Sequence, residues 1–370
     1  MKWFGRRSGR EGSRPVLARG AGALGMLGEW PQSYEAQVRE GYAANPVAQR
    51  AVKIVAEGVA SAPLGGSDAA LVELVSMRVQ GQELGAVLAA QLLLHGNAYV
   101  QLLGDGAGGV AELFPLRPER VSVETDAGGW PVAYRYRVGG SVSRIAAEDA
   151  GGRPQVIHLR GFSPVDDHYG LGCLGAASGA VAIHNAATRW NKALLDNAAR
   201  PSGALVYEPG DGSALSPDQF ERLKGEMEAG FAGAANAGRP MLLEGGLKWQ
   251  AMSLSPADMD FVGLKAAAAR EIALAFGVPP MLIGLPGDNS YANYREANRA
   301  VWRLTILPLA YMILSGLAQG LSSWFPGAKL WVEIDKVPAM AEDRERLWRS
   351  VSAADFLSND EKRQLLGLGQ

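Results

Sequence analysis

The chain has 370 residues, 36 Lys+Arg against 38 Asp+Glu, and a net charge of −2. That balance excludes a strongly basic chain that coats nucleic acid, and a single cysteine, Cys173, excludes an internal disulfide or a cysteine zinc site. Hydrophobic residues at 48% exclude global disorder, while 47 glycines without a G-x-y period exclude collagen and point to turns and closely packed backbones.

The first forty residues read as a basic flexible arm. Lys2, Arg6, Arg7, Arg10, Arg14 and Arg19 face one acid, Glu11, within the first twenty. No apolar run follows, so this is not a secretory signal, and Arg6-Arg7 lacks a twin-arginine context for the same reason. A helix is predicted from Asn45, a capping residue, with Pro46 in its first turn, to Ala62. Two more follow at Ala69–Met77 and Leu84–Leu94. The pattern then changes to short strands, Ala98–Leu103 and Val110–Phe114, around the turn Gly104-Asp-Gly-Ala-Gly-Gly109. Arg120–Thr125, Val132–Val138 and Gln155–Arg160 complete a mainly antiparallel β unit over residues 98–160.

Leu174–Ala199 reads as a long helix stopped by Pro201, and Leu205–Tyr207 as a short strand. Ser216, Pro217 and Gln219 then give cap, first-turn proline and capping-box partner for a helix to Phe231. Met241–Leu243 and Leu247–Met252 suggest a hairpin around Glu244-Gly-Gly246. Ser255-Pro256 opens a further helix, which Gly277 and Pro279-Pro280 end after Phe276. A loop from Leu282 to Asn289 leads into a helix running from about Ala292 to Leu321. Leu330–Ile334 is a strand, and residues 339–370 hold two helices, the second opened by the capping box Ser358-Asn-Asp-Glu361.

Leu304–Ala328 carries no charge over 25 positions, long enough to span a bilayer. Pro308 interrupts it, and Gln319, Ser322 and Ser323 dilute it, which favours a buried helix; the alternative is an integral membrane protein spanning 304–328. Gly170-Leu-Gly172-Cys-Leu-Gly175 matches G-x-G-x-x-G, the basis of a second alternative, a dinucleotide-binding oxidoreductase. Nine residues separate it from the preceding strand and no acidic strand end follows, so it reads as a tight turn into a helix. No phosphate loop G-x-x-x-x-G-K-[ST] and no G-x-S-x-G elbow occurs. Asp166-Asp167-His168 reads as a solvated turn rather than a metal site, and His184 as a packed or surface residue. Arg295, Arg299 and Arg303 share a helix face at i, i+4, i+8, suited either to phosphate or to acidic groups of a neighbour.

Several motifs stand in a telling order. Gly96-Asn-Ala-Tyr99 precedes Leu113-Phe-Pro-Leu-Arg-Pro-Glu-Arg-Val121; Val156-Ile-His-Leu-Arg160 precedes Tyr169-Gly-Leu-Gly-Cys-Leu174. Asn197-Ala-Ala-Arg-Pro-Ser-Gly-Ala204 precedes the Ser216 helix. Ile272-Ala-Leu-Ala-Phe-Gly-Val-Pro-Pro-Met-Leu-Ile-Gly284 precedes Ser290-Tyr-Ala-Asn-Tyr-Arg-Glu296 and Thr305-Ile-Leu-Pro308. Together, over about residues 40–370, the set resembles the portal, or head-to-tail connector, proteins of tailed bacteriophages and of gene transfer agents.

The resemblance implies an α+β portal-like fold. Its parts would be a wing (41–173), a stem helix (174–199), an α/β clip (200–255), a second stem helix (256–280), a tunnel loop (281–291), a tunnel helix bent at Pro308 (292–328), a wing strand (329–338) and a short helical crown (339–370). It implies a ring of about twelve copies at one capsid vertex, a conduit for DNA packaging and ejection. Double-stranded DNA would pass through without sequence preference. The implied partners are a large terminase ATPase, a head-completion or adaptor protein, and the major capsid or scaffold protein, with no membrane. The implied location is the virion, and the host cytoplasm during assembly. Leu282, Gly284, Pro286, Gly287, Asp288 and Asn289 would face the channel, Arg295, Arg299 and Arg303 would lie on the tunnel helix, and Pro201, Gln219, Arg222, Glu226 and Arg239 would face clip partners. No catalytic residue, cofactor or metal is implied.

Overall fold

The computed structural model describes Leu17 and residues 33–196, 203–208, 215–231, 247–251, 261–285 and 290–366. The chain divides into two units, residues 1–178 with 272–370, and residues 179–271.

In the first unit Ser33 caps α1 (Tyr34–Gln37), which continues as a π turn, Val38–Ala43. Asn45 Oδ1 then accepts the N–H groups of Val47 and Ala48 at 3.1 and 3.0 Å, opening α2 (Pro46–Ala60) as the cap chemistry requires. There follow β1 (Leu64–Gly66), α3 (Ala69–Ser76), the two-residue pair β2 (Arg78–Val79) and β3 (Gln82–Glu83), and α4 (Leu84–His95). β4 (Asn97–Gly104), β5 (Val110–Leu116), β6 (Val121–Thr125), β7 (Pro131–Val138), β8 (Ser141–Ala146) and β9 (Val156–Arg160) make two antiparallel sheets, ordered β5-β4-β9 and β6-β7-β8. Tyr99, Leu116, Val121, Val123, Tyr134 and Val156 form one buried cluster drawn from both sheets.

The second unit holds most of α5 (Cys173–Asp196) and α7 (Phe261–Ala275), with β10 (Gly203–Tyr207), α6 (Pro217–Phe231) and β11 (Leu247–Ala251) between them. The Leu247 strand pairs with β10, Leu205 opposite Trp249, rather than standing only as half of a local hairpin. Its expected partner, Met241–Leu243, lies outside the described residues, as does the helix start at Ser255-Pro256.

Back in the first unit, α8 (Tyr291–Val301), a π turn (Trp302–Ile306) and α9 (Leu307–Leu321) form one continuous helix. Pro308 has no N–H to give the carbonyl of Leu304, and its ring crowds that carbonyl. The irregularity it causes is the wider turn just before it, which absorbs one extra residue. The helix stops at Leu321, where the sequence places its end. Trp324 and Phe325 both return their N–H groups to the Leu321 carbonyl, and Trp324 Nε1 donates to the Gly108 carbonyl at 3.1 Å beneath the Arg153 guanidinium. β12 (Leu330–Val332) is shorter than expected and pairs with β1, Leu64 opposite Val332. α10 (Ala341–Ser352) and α11 (Asn359–Leu365) close the chain, and Ser358 with Glu361 forms the expected reciprocal capping box.

By length and composition the helix Tyr291–Leu321 passes for a membrane span. In the fold its second half, α9, is a core element. Leu307, Ala310, Ile313, Leu314, Leu317, Ala318 and Leu321 are buried, and α9 packs on β9, α4 and β12. Gly316 and Gly320 lie one turn apart where the helix meets the sheet. A methyl group at Gly316 would collide with Leu159, and one at Gly320 with Ile157. Each large apolar side chain buried here contributes about 1.5–3 kcal/mol of transfer free energy.

Candidate functional site

The arginine row sits on α8 and its π turn. Arg295 Nη1 donates to Glu342 Oε1 at 2.5 Å, and its guanidinium lies 5.4 Å from the centre of the Tyr291 ring. Arg299 Nη2 donates to Glu296 Oε2 at 2.7 Å and to Glu342 Oε2 at 3.4 Å. Glu342 stands in the first turn of α10, so one carboxylate joins two helices. Arg299 is nearly buried, with its side chain 12% exposed, against 51% for Arg295. Arg303 falls inside the π turn and is exposed; among the described residues it has no ion pair. The structure thus brings two of the three arginines onto a shared acid and leaves the third apart. Ser290 Oγ accepts from Asn293 N–H and fixes where this helix starts.

The loop ahead of it is partly ordered structure. Leu282 belongs to a 3-10 turn, Pro280–Ile283, and Gly284 closes it at φ +82°. That replaces the expected open loop in its first third, because the fixed φ of Pro280 already suits a tight turn. Pro286, Gly287, Asp288 and Asn289 lie outside the described residues. Behind it Gly277, at φ +65°, packs under Thr305, whose hydroxyl donates to the Gly277 carbonyl at 2.7 Å. Of the clip residues, Gln219 Oε1 accepts the Ser216 N–H at 2.9 Å, so it serves the helix cap. Arg222 is exposed on α6, Glu226 lies further along that helix, and Pro201 and Arg239 lie outside the described residues.

The glycines of Gly170–Gly175 are used by backbone, not by a cofactor. A Cβ at Gly170 would strike the Gly96 carbonyl, and one at Gly172 would lie 2.7 Å from the Leu94 carbonyl oxygen. Gly96 itself closes α4 at φ +80°, a conformation open to glycine at little cost. Where a dinucleotide phosphate would sit, this chain packs its own main chain.

Beside that crossing lies a polar hub that sequence reasoning missed. Asn97, 1% exposed, accepts the Gly170 N–H on Oδ1 at 2.8 Å and donates from Nδ2 to the Gly170 carbonyl at 3.1 Å. Gly170 therefore fixes the amide orientation. Oδ1 also meets His158 Nε2 at 3.1 Å, so that nitrogen carries its proton; Nδ2 meets His95 Nδ1 at 3.2 Å, so that nitrogen is bare. Burial depresses both imidazoles, His95 to about 4 and His158 to about 3, the latter also through Arg160, His95 and His168. Tyr99 stacks on His158 at 4.2 Å between ring centres. His-x-Asn at 95–97 and a histidine in the opposing strand were visible, but only the β4–β9 register brings them together.

Asp166-Asp167-His168 departs from a solvated turn. His168 is buried and its Nε2 donates to the Gly129 carbonyl at 2.7 Å, because the loop folds back on the β6–β7 turn. Asp166 Oδ1 accepts the N–H groups of His168 and Tyr169, which makes it a turn former. His184 is buried on α5. Among the described residues no group of three His, Cys, Asp or Glu side chains is arranged to hold a metal ion. A groove of about 670 Å³ lies between α1 and the β6-β7-β8 sheet and is lined by Arg39, Arg120, Arg135 and Arg137 with Glu35 and Glu119.

Comparison with known proteins supplies the family. An uncharacterised protein of Rickettsia felis is 37% identical over 346 residues, which cover 89% of this chain and 88% of that one. Among solved structures, a chain from the virion of a native gene transfer agent particle is 48% identical, covers 96% of both chains and superposes with a TM-score of 0.72. A chain from the neck of the native particle, computed with C12 symmetry, is 49% identical over 92% of this chain and 94% of that one, also at 0.72. The family model for phage portal proteins matches residues 46–367, nearly the whole described fold, and the chain belongs to the phage portal protein family.

Proposed function

We propose that this portal protein forms a closed ring of twelve copies at one vertex of a virus-like or gene-transfer particle, and that DNA enters and leaves through the ring. The observation that carries this is the 49% identity, over nearly the full length of both chains, to a neck component of C12 symmetry. Heterologous contacts close into a ring when the rotation between copies closes. In this proposal residues 41–173 and 329–338 act as the wing, 174–199 and 256–280 as stem helices, 200–255 as the clip, and 339–370 as the crown. The clip receives the terminase ATPase during packaging and a head-completion protein afterwards, and the rim meets the capsid or scaffold protein. Assembly begins in the host cytoplasm. The chain itself carries no catalysis; with no phosphate loop in its sequence, the translocation energy comes from the separate motor. A near-neutral conduit suits sliding DNA, since summed phosphate contacts would hold it.

Negative-stain imaging of the purified chain tests the reading. Rings with a central hole and twelvefold averages are expected. A chain that stays monomeric at high concentration, and also fails to enter particles when co-expressed with capsid components, would overturn it.

A further inference from the structure

Resting on the reading of the chain as a DNA conduit, we infer that Glu342 masks the arginine row of α8 and so sets how strongly the protein holds DNA. Arg295 and Arg303 are exposed on this helix and each would add a phosphate contact if unpaired, while Arg299 is nearly buried beside them. Arg295 and Arg299 are already committed. The Glu342 carboxylate gives one oxygen to Arg295 at 2.5 Å and the other to Arg299 at 3.4 Å, and Glu296 takes the second bond of Arg299 at 2.7 Å. Two guanidinium and two carboxylate groups thus meet in one cluster among the described residues, and Arg303 stands outside it.

The acid that does this comes from a distant part of the chain, 43 and 47 residues away, on the first turn of α10. Glu342 is 43% exposed, so the pairing is held by geometry rather than by deep burial. α10 is tethered nearby by the Arg344–Asp335 pair and by Arg344 over the Trp348 ring, 5.5 Å from its centre. A shift of α10 away from α8 would therefore unmask Arg295, while Arg299 keeps its pair with Glu296 on its own helix. Low grip is the resting state, and displacement of the C-terminal helix raises it.

The test uses the full-length chain and a 30-base-pair DNA duplex, with affinity followed by fluorescence anisotropy from 20 to 200 mM salt. Each phosphate contact adds about 0.9 to the slope of log affinity against log salt. In the parent chain Arg303→Ala should lower the slope by about 0.9, and the pair Arg295→Ala/Arg299→Ala should leave it unchanged. Glu342→Gln, which keeps shape and an acceptor but removes the charge, should free Arg295, raise the slope by about 0.9 and tighten binding several-fold at low salt. Adding Arg295→Ala and Arg299→Ala to Glu342→Gln should abolish that rise, and Glu342→Asp should behave as the parent. A merely structural tether would lower the melting temperature of Glu342→Gln and leave the slope alone. An unchanged slope in Glu342→Gln, no binding by it at 20 mM salt, or an equal loss of slope from Arg295→Ala/Arg299→Ala in the parent, each overturns the inference. Ring imaging is scored separately. Rings without the slope change sink the masking and spare the conduit; absent rings sink the conduit.

Discussion

Acidification from pH 8 to pH 5 should destabilise the first unit before most carboxylates protonate. His95 and His158 sit at about 4 and about 3 in the folded chain, against 6.5 when unfolded. Between those values the unfolded chain binds protons that the folded chain refuses, so stability falls as pH falls. The geometry explains the refusal at His95: a proton on Nδ1 would face the Asn97 Nδ2–H donors at 3.2 Å. At pH 5 each imidazole costs roughly 2 kcal/mol relative to pH 8, about 4 kcal/mol together. For a unit of this size that is a drop in melting temperature of about 8 °C. His184, also depressed by burial, acts in the same direction in the second unit. Asp105, Glu124 and Asp149 lie below their ordinary carboxylate values, so their contribution is lost only at lower pH. The assay is tryptophan fluorescence melting at constant ionic strength, at half-unit steps from pH 8 to 4. The double variant His95→Gln/His158→Gln should flatten the pH 5–7 portion whatever its absolute stability. A melting temperature level down to pH 5, falling only where carboxylates protonate, would refute the reasoning.

Gly320→Val places two methyl groups into Ile157 and should cost about 1–3 kcal/mol by overpacking, read as an earlier urea midpoint with unchanged slope. Asn97→Leu leaves the Gly170 N–H and the His158 Nε2–H without acceptors and should cost about 2–4 kcal/mol in the same titration; a neutral result would mean the hub is not load-sharing. Ser358→Ala removes the cap of α11, worth about 1 kcal/mol, and should speed exchange of the Glu361 amide about fivefold while the core is unaffected. Deleting residues 286–289 should spare ring assembly and reduce DNA retention in particles; equal DNA content in filled particles would count against a channel-facing loop.

Local chemistry made much of the fold legible. Asn45-Pro46, Ser216-Pro217 and the Ser358 box each satisfy orphan helix N–H groups with their own side chains, so no tertiary knowledge was needed to place them. Gly104–Gly109 likewise closes its turn through Asp105, which takes the N–H groups of Ala107 and Gly109. β8 escaped notice because Ser141–Ala146 is mostly exposed and lacks an apolar face; its pairing with β7 holds it. β1 is three residues long and exists because β12, more than 260 positions later, lies beside it. The site was legible in part for the same reason. The spacing of Arg295 and Arg299 predicts a shared face, but the identity of the acid opposite them depends on where α10 packs. For the glycines of 170–175 the motif named the residue type correctly, and the tertiary crossing at Gly96 decided its use.

The π turn at Trp302–Ile306 makes the long helix two faces joined by a phase shifter. One residue of surplus lets the cationic stripe of α8 and the apolar stripe of α9 each point where its own neighbours require. Removing one residue from that turn would twist the stripes against each other by roughly 100°. With α9 held by Ile157 and Leu159 through its two glycines, the rotation would fall on α8, and Arg295 and Arg299 would swing off Glu342. The fold thus stores its charge alignment in a count of residues, not in any single side chain.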